Sequence, residues 1–170
     1  MNTMGHTPLL ITLVLATTTH AQELVPFTTE QAAAGLAAYR THCATCHQTD
    51  LAGANEARPL AGPAFMSTWS ERTVQQLLLY TQITMPQAPG IPNSLPEETY
   101  ADITIFMLRA NGAEPGTETL TADTTTTIGT IATGEMPAGL AAAVASAPAG
   151  AATGAALLGL SFEGSIEGLT

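Results

Sequence analysis

Two thiols and an imidazole stand together in Cys43-Ala44-Thr45-Cys46-His47, and these are the only two cysteines in 170 residues. On a helical turn, a two-residue spacer sets the sulfurs the right distance apart to add to the two vinyl groups of a porphyrin. The following residue, His47, then sits under the ring with an imidazole nitrogen facing the iron. A C-x-x-C-H pentapeptide is thus the attachment pattern of a c-type haem. With both cysteines inside the motif, none is left for a structural disulfide or a four-thiolate metal site.

Other chemistry is available to the same residues. A dithiol redox pair of the thioredoxin kind would need a strand before it and a βαβ setting. The residues before Cys43, from Gln31 through Gly35 and Tyr39 to Arg40, form helix instead. A zinc half-site would need a second pair of ligands at compatible spacing. The remaining histidines are His6, His20 and His42, and the first two fall in an apolar leader. The haem reading is the one the surrounding residues support.

Three helices are expected to position this chemistry. The first starts at Thr28 or Thr29, with Glu30 in the first turn where it suits the helix dipole, and runs through Gly35 and Tyr39 into the motif. The second follows Thr68-Trp69-Ser70-Glu71, in which Thr68 and Glu71 have capping-box spacing. Val74, Leu77, Leu78 and Ile83 supply its apolar face. The third follows Ser94-Leu95-Pro96-Glu97, again with capping-box spacing. It carries Ile103, Phe106 and Leu108 and stops at Asn111-Gly112. Two Gly/Pro-rich loops separate them, residues 50–66 and residues 84–90. Neither loop could stabilise itself as regular structure, so both are expected to pack on the porphyrin, which supplies apolar mass to a segment short for an independent core.

A six-coordinate iron needs a ligand opposite His47. A thioether is soft and neutral, favours Fe(II), and raises the potential relative to a second histidine. Met66, Met85, Met107 and Met136 are the candidates beyond the leader. Met85 fits best: it follows the second helix, precedes Pro86 and lies 85 − 47 = 38 residues after His47. Met107 reads as core, Met66 as a residue at the haem edge, and Met136 as part of the tail.

Residues 1–21 read as an export signal to be removed before Gln22. Leu9–Ala16 is an apolar core too short to span a bilayer, and Thr19-His20-Ala21 ends in a small residue, although residues 1–8 hold no Lys or Arg. Export agrees with the motif, because covalent haem attachment in bacteria takes place outside the cytoplasmic membrane; a periplasmic location is expected. All 14 Asp and Glu lie after position 22, against Arg40, Arg58, Arg72 and Arg109 and no lysine. Such a surface makes nucleic acid an improbable partner. It either serves solubility alone or favours a protein with a positive docking face, or a mainly apolar contact around the haem edge. Residues 121–170, rich in Ala, Gly and Thr, read as a flexible low-complexity tail. A membrane or partner contact and an ordered extension are the lesser readings; Pro148 and several glycines interrupt the uncharged stretch and no basic flank marks an end of a span.

Gly35 with Tyr39, the C-x-x-C-H motif, Gly62-Pro63, Met85-Pro86 and the Tyr100–Phe106 segment together resemble a class I c-type cytochrome domain, covering about residues 28–120. The resemblance implies an all-α fold of three main helices around one covalent haem c, in residues 22–120. In that family the first and last helices cross where a glycine meets an aromatic; Gly35 would let Ile103 and Phe106 approach closely. Read alone, Gly35 is a helix defect costing ~1 kcal/mol against alanine. The resemblance further implies that the Pro63 carbonyl accepts a hydrogen bond from the non-ligating nitrogen of His47, and that Trp69 reaches a haem propionate. Read alone, Pro63 is as well explained by a turn and Trp69 by packing. Arg58 and Arg72 could offset propionate charge.

More narrowly, Leu60–Phe65, Trp69, Met85-Pro86 and Asn111–Pro115 are similar to cytochrome domains accompanying pyrroloquinoline-quinone dehydrogenases. There the domain drains electrons singly from a β-propeller, which this chain lacks. The expected function is an exported single-electron carrier between a periplasmic dehydrogenase and a respiratory acceptor, not an enzyme. The alternatives are a haem subunit of a quinoprotein dehydrogenase complex, or a haem protein with an open sixth site.

Overall fold

The computed structural model describes residues 27–87 and 90–146. Described residues form helices α1 (Thr29–His42), α2 (Ala44–His47), α3 (Pro63–Trp69), α4 (Val74–Thr84), α5 (Glu97–Ala110), α6 (Ile128–Ile131) and α7 (Ala138–Ser146). Among them the only β pairing is an isolated bridge, Thr73 to Thr127. The fold is the expected all-α one. The leader, residues 1–21, lies outside the described residues.

α1 begins on a capping box. The Thr28 hydroxyl accepts the Gln31 N–H, and the Gln31 side chain accepts the Thr28 N–H, both at 3.2 Å. The same Gln31 amide pairs with both backbone groups of Leu120, at 3.3 and 3.2 Å, tying the start of α1 to the chain beyond α5. α5 is buried on nearly every side, from Tyr100 through Ala110, as befits a central helix that is apolar almost all round. α1 packs across it at Gly35. A Cβ on Gly35 would strike the Asp102 carbonyl and lie 3.0 Å from the Phe106 Cβ. One turn further along, Tyr39 stacks on Phe106 with ring centroids 5.0 Å apart. α4 covers another side of α5 with Val74, Leu77, Leu78 and Thr81.

Two expected caps are corrected. Thr68 lies inside α3, where its hydroxyl donates to the Ala64 carbonyl at 3.3 Å; the cap of α4 is Thr73, boxed with Gln76. Ser94 caps nothing, because α5 starts from Pro96 without a side-chain cap. Ile83 is not on the buried face of α4 but 58% exposed, beside Leu79 and Tyr80.

The tail is a correction too. Residues 121–146 are not a flexible extension of a domain ending at 120 but part of its body. The Thr126 and Thr124 carbonyls accept from the Val74 and Gln75 amides, each at 2.9 Å. Gln76 donates to Thr73 Oγ1, so the free amides of the first turn of α4 are partnered. In return, Ile128 and Gly129 donate to the Arg72 and Ser70 carbonyls at 2.9 and 2.8 Å. Ile128, Ile131, Leu140 and Val144 are buried, and Arg40 donates to the Ala143 carbonyl at 3.3 Å. These apolar residues recur at three- and four-residue spacing, which the surrounding Ala, Gly and Thr obscure.

Candidate haem site

The motif is one helical turn at the end of α1. The Cys43 N–H donates to Tyr39 O at 2.8 Å, and Cys46 and His47 both donate to Cys43 O, at 3.1 and 3.0 Å. Both thiols are free, Cys43 half-buried and Cys46 exposed, while the His47 ring is buried. Burial, with Cys46 adding to it, pushes the Cys43 thiol up to about 12. A dithiol nucleophile needs the opposite shift, so the surroundings disfavour thiolate chemistry at Cys43.

After His47 the chain reverses through Gln48 and Leu51, both at positive φ (64° and 63°). The Tyr39 hydroxyl holds this reversal by donating to Gln48 O at 2.6 Å. Burial, then the nearby Cys43 and Asp50, raise the phenol above its ordinary value, so it stays a donor. The loop returns to the histidine: Gly53 N–H meets His47 O at 3.0 Å, and Leu60 N–H meets Leu51 O at 2.8 Å.

His47 Nδ1 lies 2.9 Å from the Arg58 carbonyl. A carbonyl only accepts, so Nδ1 is the donor in this contact, which leaves Nε2 as the nitrogen available to ligate a metal. The acceptor is therefore Arg58, not Pro63. Pro63 is the first residue of α3, where its missing N–H is not needed, and its ring is exposed. Sequence reasoning singled out Arg58 only for its charge and missed its carbonyl, because any residue can offer one; only the path of the loop selects it.

Met85 caps the C-terminus of α4 and is half-buried. Its N–H donates to Thr81 O at 2.9 Å, and its carbonyl accepts from the Tyr100 hydroxyl at 2.8 Å. Trp69 is buried at the end of α3, edge-on to Tyr80 at 5.2 Å, with the Arg72 guanidinium 5.2 Å over its ring. Met107 is core, as expected; Met66 and Met136 pack at the core's edge.

Asn111 was legible only as a helix stop. In the fold it is wholly buried and joins three segments. Its side chain accepts from Gly62 N at 2.9 Å and donates to Leu60 O and Met107 O at 2.9 and 2.8 Å. Its carbonyl accepts from Thr133 and Gly134 at 2.9 and 2.8 Å. An asparagine closing an otherwise apolar helix was the one available hint.

The donor set fits a covalent haem: two free thiols on one turn, and an imidazole whose second nitrogen is already engaged. Residues 30–107 match the family model described as cytochrome c oxidase, cbb3-type, subunit III. No curated protein and no solved structure gives a significant match.

Proposed function

Because residues 30–107 are a class I c-type cytochrome domain, which carries covalent haem c and transfers electrons to and from redox partner proteins, we propose that the protein is an exported carrier with His47 and Met85 as axial ligands. Haem c supplies a one-electron Fe(III)/Fe(II) couple. Cys43 and Cys46 hold the porphyrin as thioethers, and His47 offers Nε2 to the iron. The observation that carries this reading is the 2.9 Å contact from His47 Nδ1 to Arg58 O, which fixes the ring and makes it a stronger donor. Support for Met85 comes from its main chain, anchored to α4 on one side and to Tyr100 of α5 on the other. A residue pinned from two helices presents its side chain at a defined place. With His47 and Met85 both bound to it, the iron would keep no open position for substrate or O₂. That favours a carrier over an enzyme. Trp69 offers its indole N–H to a propionate, beside the Arg72 charge.

The partner is read from charge. Residues 73–96 contain no Asp, Glu, Lys or Arg, in a chain of formal net charge −10. Leu79, Ile83 and Ile91 are exposed in that stretch by 54, 58 and 69%, on either side of Met85 in sequence. An uncharged apolar contact with basic groups around it would suit this face. A periplasmic dehydrogenase that releases electrons singly fits, and a quinoprotein is the narrower form of the proposal. No helix among the described residues is long and apolar enough to cross a membrane.

An optical spectrum of the oxidised holoprotein tests the ligands. A weak far-red sulfur-to-iron band is expected, and Met85→Ala should abolish it and give high-spin iron. An unchanged low-spin spectrum in Met85→Ala would refute the assignment; rapid CO binding by the wild-type protein would favour the open-site alternative. Copurification with a quinoprotein would favour a haem subunit over a freely diffusing carrier.

A further inference from the structure

We propose that Asn111 is a positioning residue for the axial histidine, and that the segment around Thr133 and Gly134 braces it. The inference rests on the reading of His47 as an iron ligand. The contacts form a chain. His47 Nδ1–H depends on the Arg58 carbonyl, which belongs to a loop with no regular structure of its own between α2 and α3. Two residues further on, the Asn111 side chain holds that loop at both Leu60 O and Gly62 N. No other side chain among the described residues bonds to Leu60 or Gly62. Asn111 is itself fixed from behind, because its carbonyl accepts from Thr133 and Gly134, beyond the expected end of the domain.

An amide is the side chain this position requires. It must accept from one amide and donate to two carbonyls within a dry site, and only asparagine or glutamine combines those functions in one planar group. The buried group uses three of its four hydrogen-bonding capacities on the loop and α5. Release of the loop moves the Arg58 carbonyl away from Nδ1. The imidazole then becomes a weaker donor, Fe(III) loses more stabilisation than Fe(II), and the reduction potential rises. The C-terminal segment thus bears on the redox centre without touching it.

The test compares holoproteins of Asn111→Asp, which keeps the acceptor for Gly62 but loses both donors, Asn111→Ala, and Thr73→Ala, which loses a helix cap away from the loop. Both Asn111 variants should shift the potential upward, and the His47 Nδ1 proton, followed by NMR in the reduced protein, should exchange at least tenfold faster. Thr73→Ala should leave both readouts unchanged. An unaltered potential in an Asn111 variant that has merely lost stability, or an equal shift in Thr73→Ala, overturns the proposal. The wild-type protein gives an arm that needs no variant: Nδ1–H and the Gly62 amide should both be protected, and rapid Nδ1 exchange beside a protected Gly62 also overturns it. Failure of the His47 assignment would instead appear in the wild-type spectrum, before any substitution.

Discussion

Replacing Gly35 with alanine tests the helix crossing on which the site is hung. The added Cβ would lie 2.6 Å from the Asp102 carbonyl carbon and 3.0 Å from the Phe106 Cβ. Carbon pairs pack at roughly 3.5–4.0 Å, so α1 and α5 must part by about an ångström. The first obstacle is main chain in the middle of a buried helix, which cannot move aside as a side-chain tip can. Overpacking of this kind costs ~1–3 kcal/mol, and the upper end applies here. Alanine returns ~1 kcal/mol through helix propensity. The net loss is then about 2 kcal/mol, which for a domain near this size lowers the thermal midpoint by roughly 8–15 °C. The assay is thermal unfolding of the holoprotein by circular dichroism, with Gly139→Ala as comparison. Gly139 also lies in a helix, but a Cβ there meets nothing within 4 Å, so no loss is expected. A Gly35→Ala midpoint at or above wild type would refute the close-approach argument.

Two smaller predictions concern α4 and α5. Thr73→Ala removes the hydroxyl that accepts the Gln76 amide at 3.2 Å and should cost ~1 kcal/mol in chemical denaturation, with serine restoring most of it. Asp102 has its carboxyl raised above the ordinary 3.8, first by burial and then by Glu98 one turn away. A raised acid penalises the fold when ionised, so that penalty is present above the folded-state value and vanishes as pH falls below 3.8. Asp102→Asn should therefore raise the thermal midpoint at pH 7 and confer no advantage at about pH 3; equal effects at both would exclude an electrostatic origin.

Much of this protein was legible because its signals are local. The attachment turn needs only residues 43–47, within reach of one helical turn. The three main helices follow from apolar spacing, and Gly35 opposite Phe106 could be anticipated from the family resemblance. Capping was less legible. Thr68–Glu71 and Thr73–Gln76 offer similar side chains at the same spacing, and packing of α3 consumed the first pair before it could cap anything. Composition misled at residues 121–146, because a few buried isoleucines, a leucine and a valine outweigh many small residues once a neighbouring helix offers unpaired amides.

By itself the sequence determined the chemistry: two thiols and an imidazole on one turn, a covalent haem, an acidic all-α domain. Only the tertiary structure decided which carbonyl meets His47 and what holds it there. Those are pairings between groups far apart in the chain, such as Asn111 with Leu60 across 51 residues and Gln31 with Leu120 across 89. Every residue carries a carbonyl and an amide, so identity cannot mark the partner. The partner is the one that the packing of α1, α5 and the returning C-terminal segment brings within hydrogen-bonding distance.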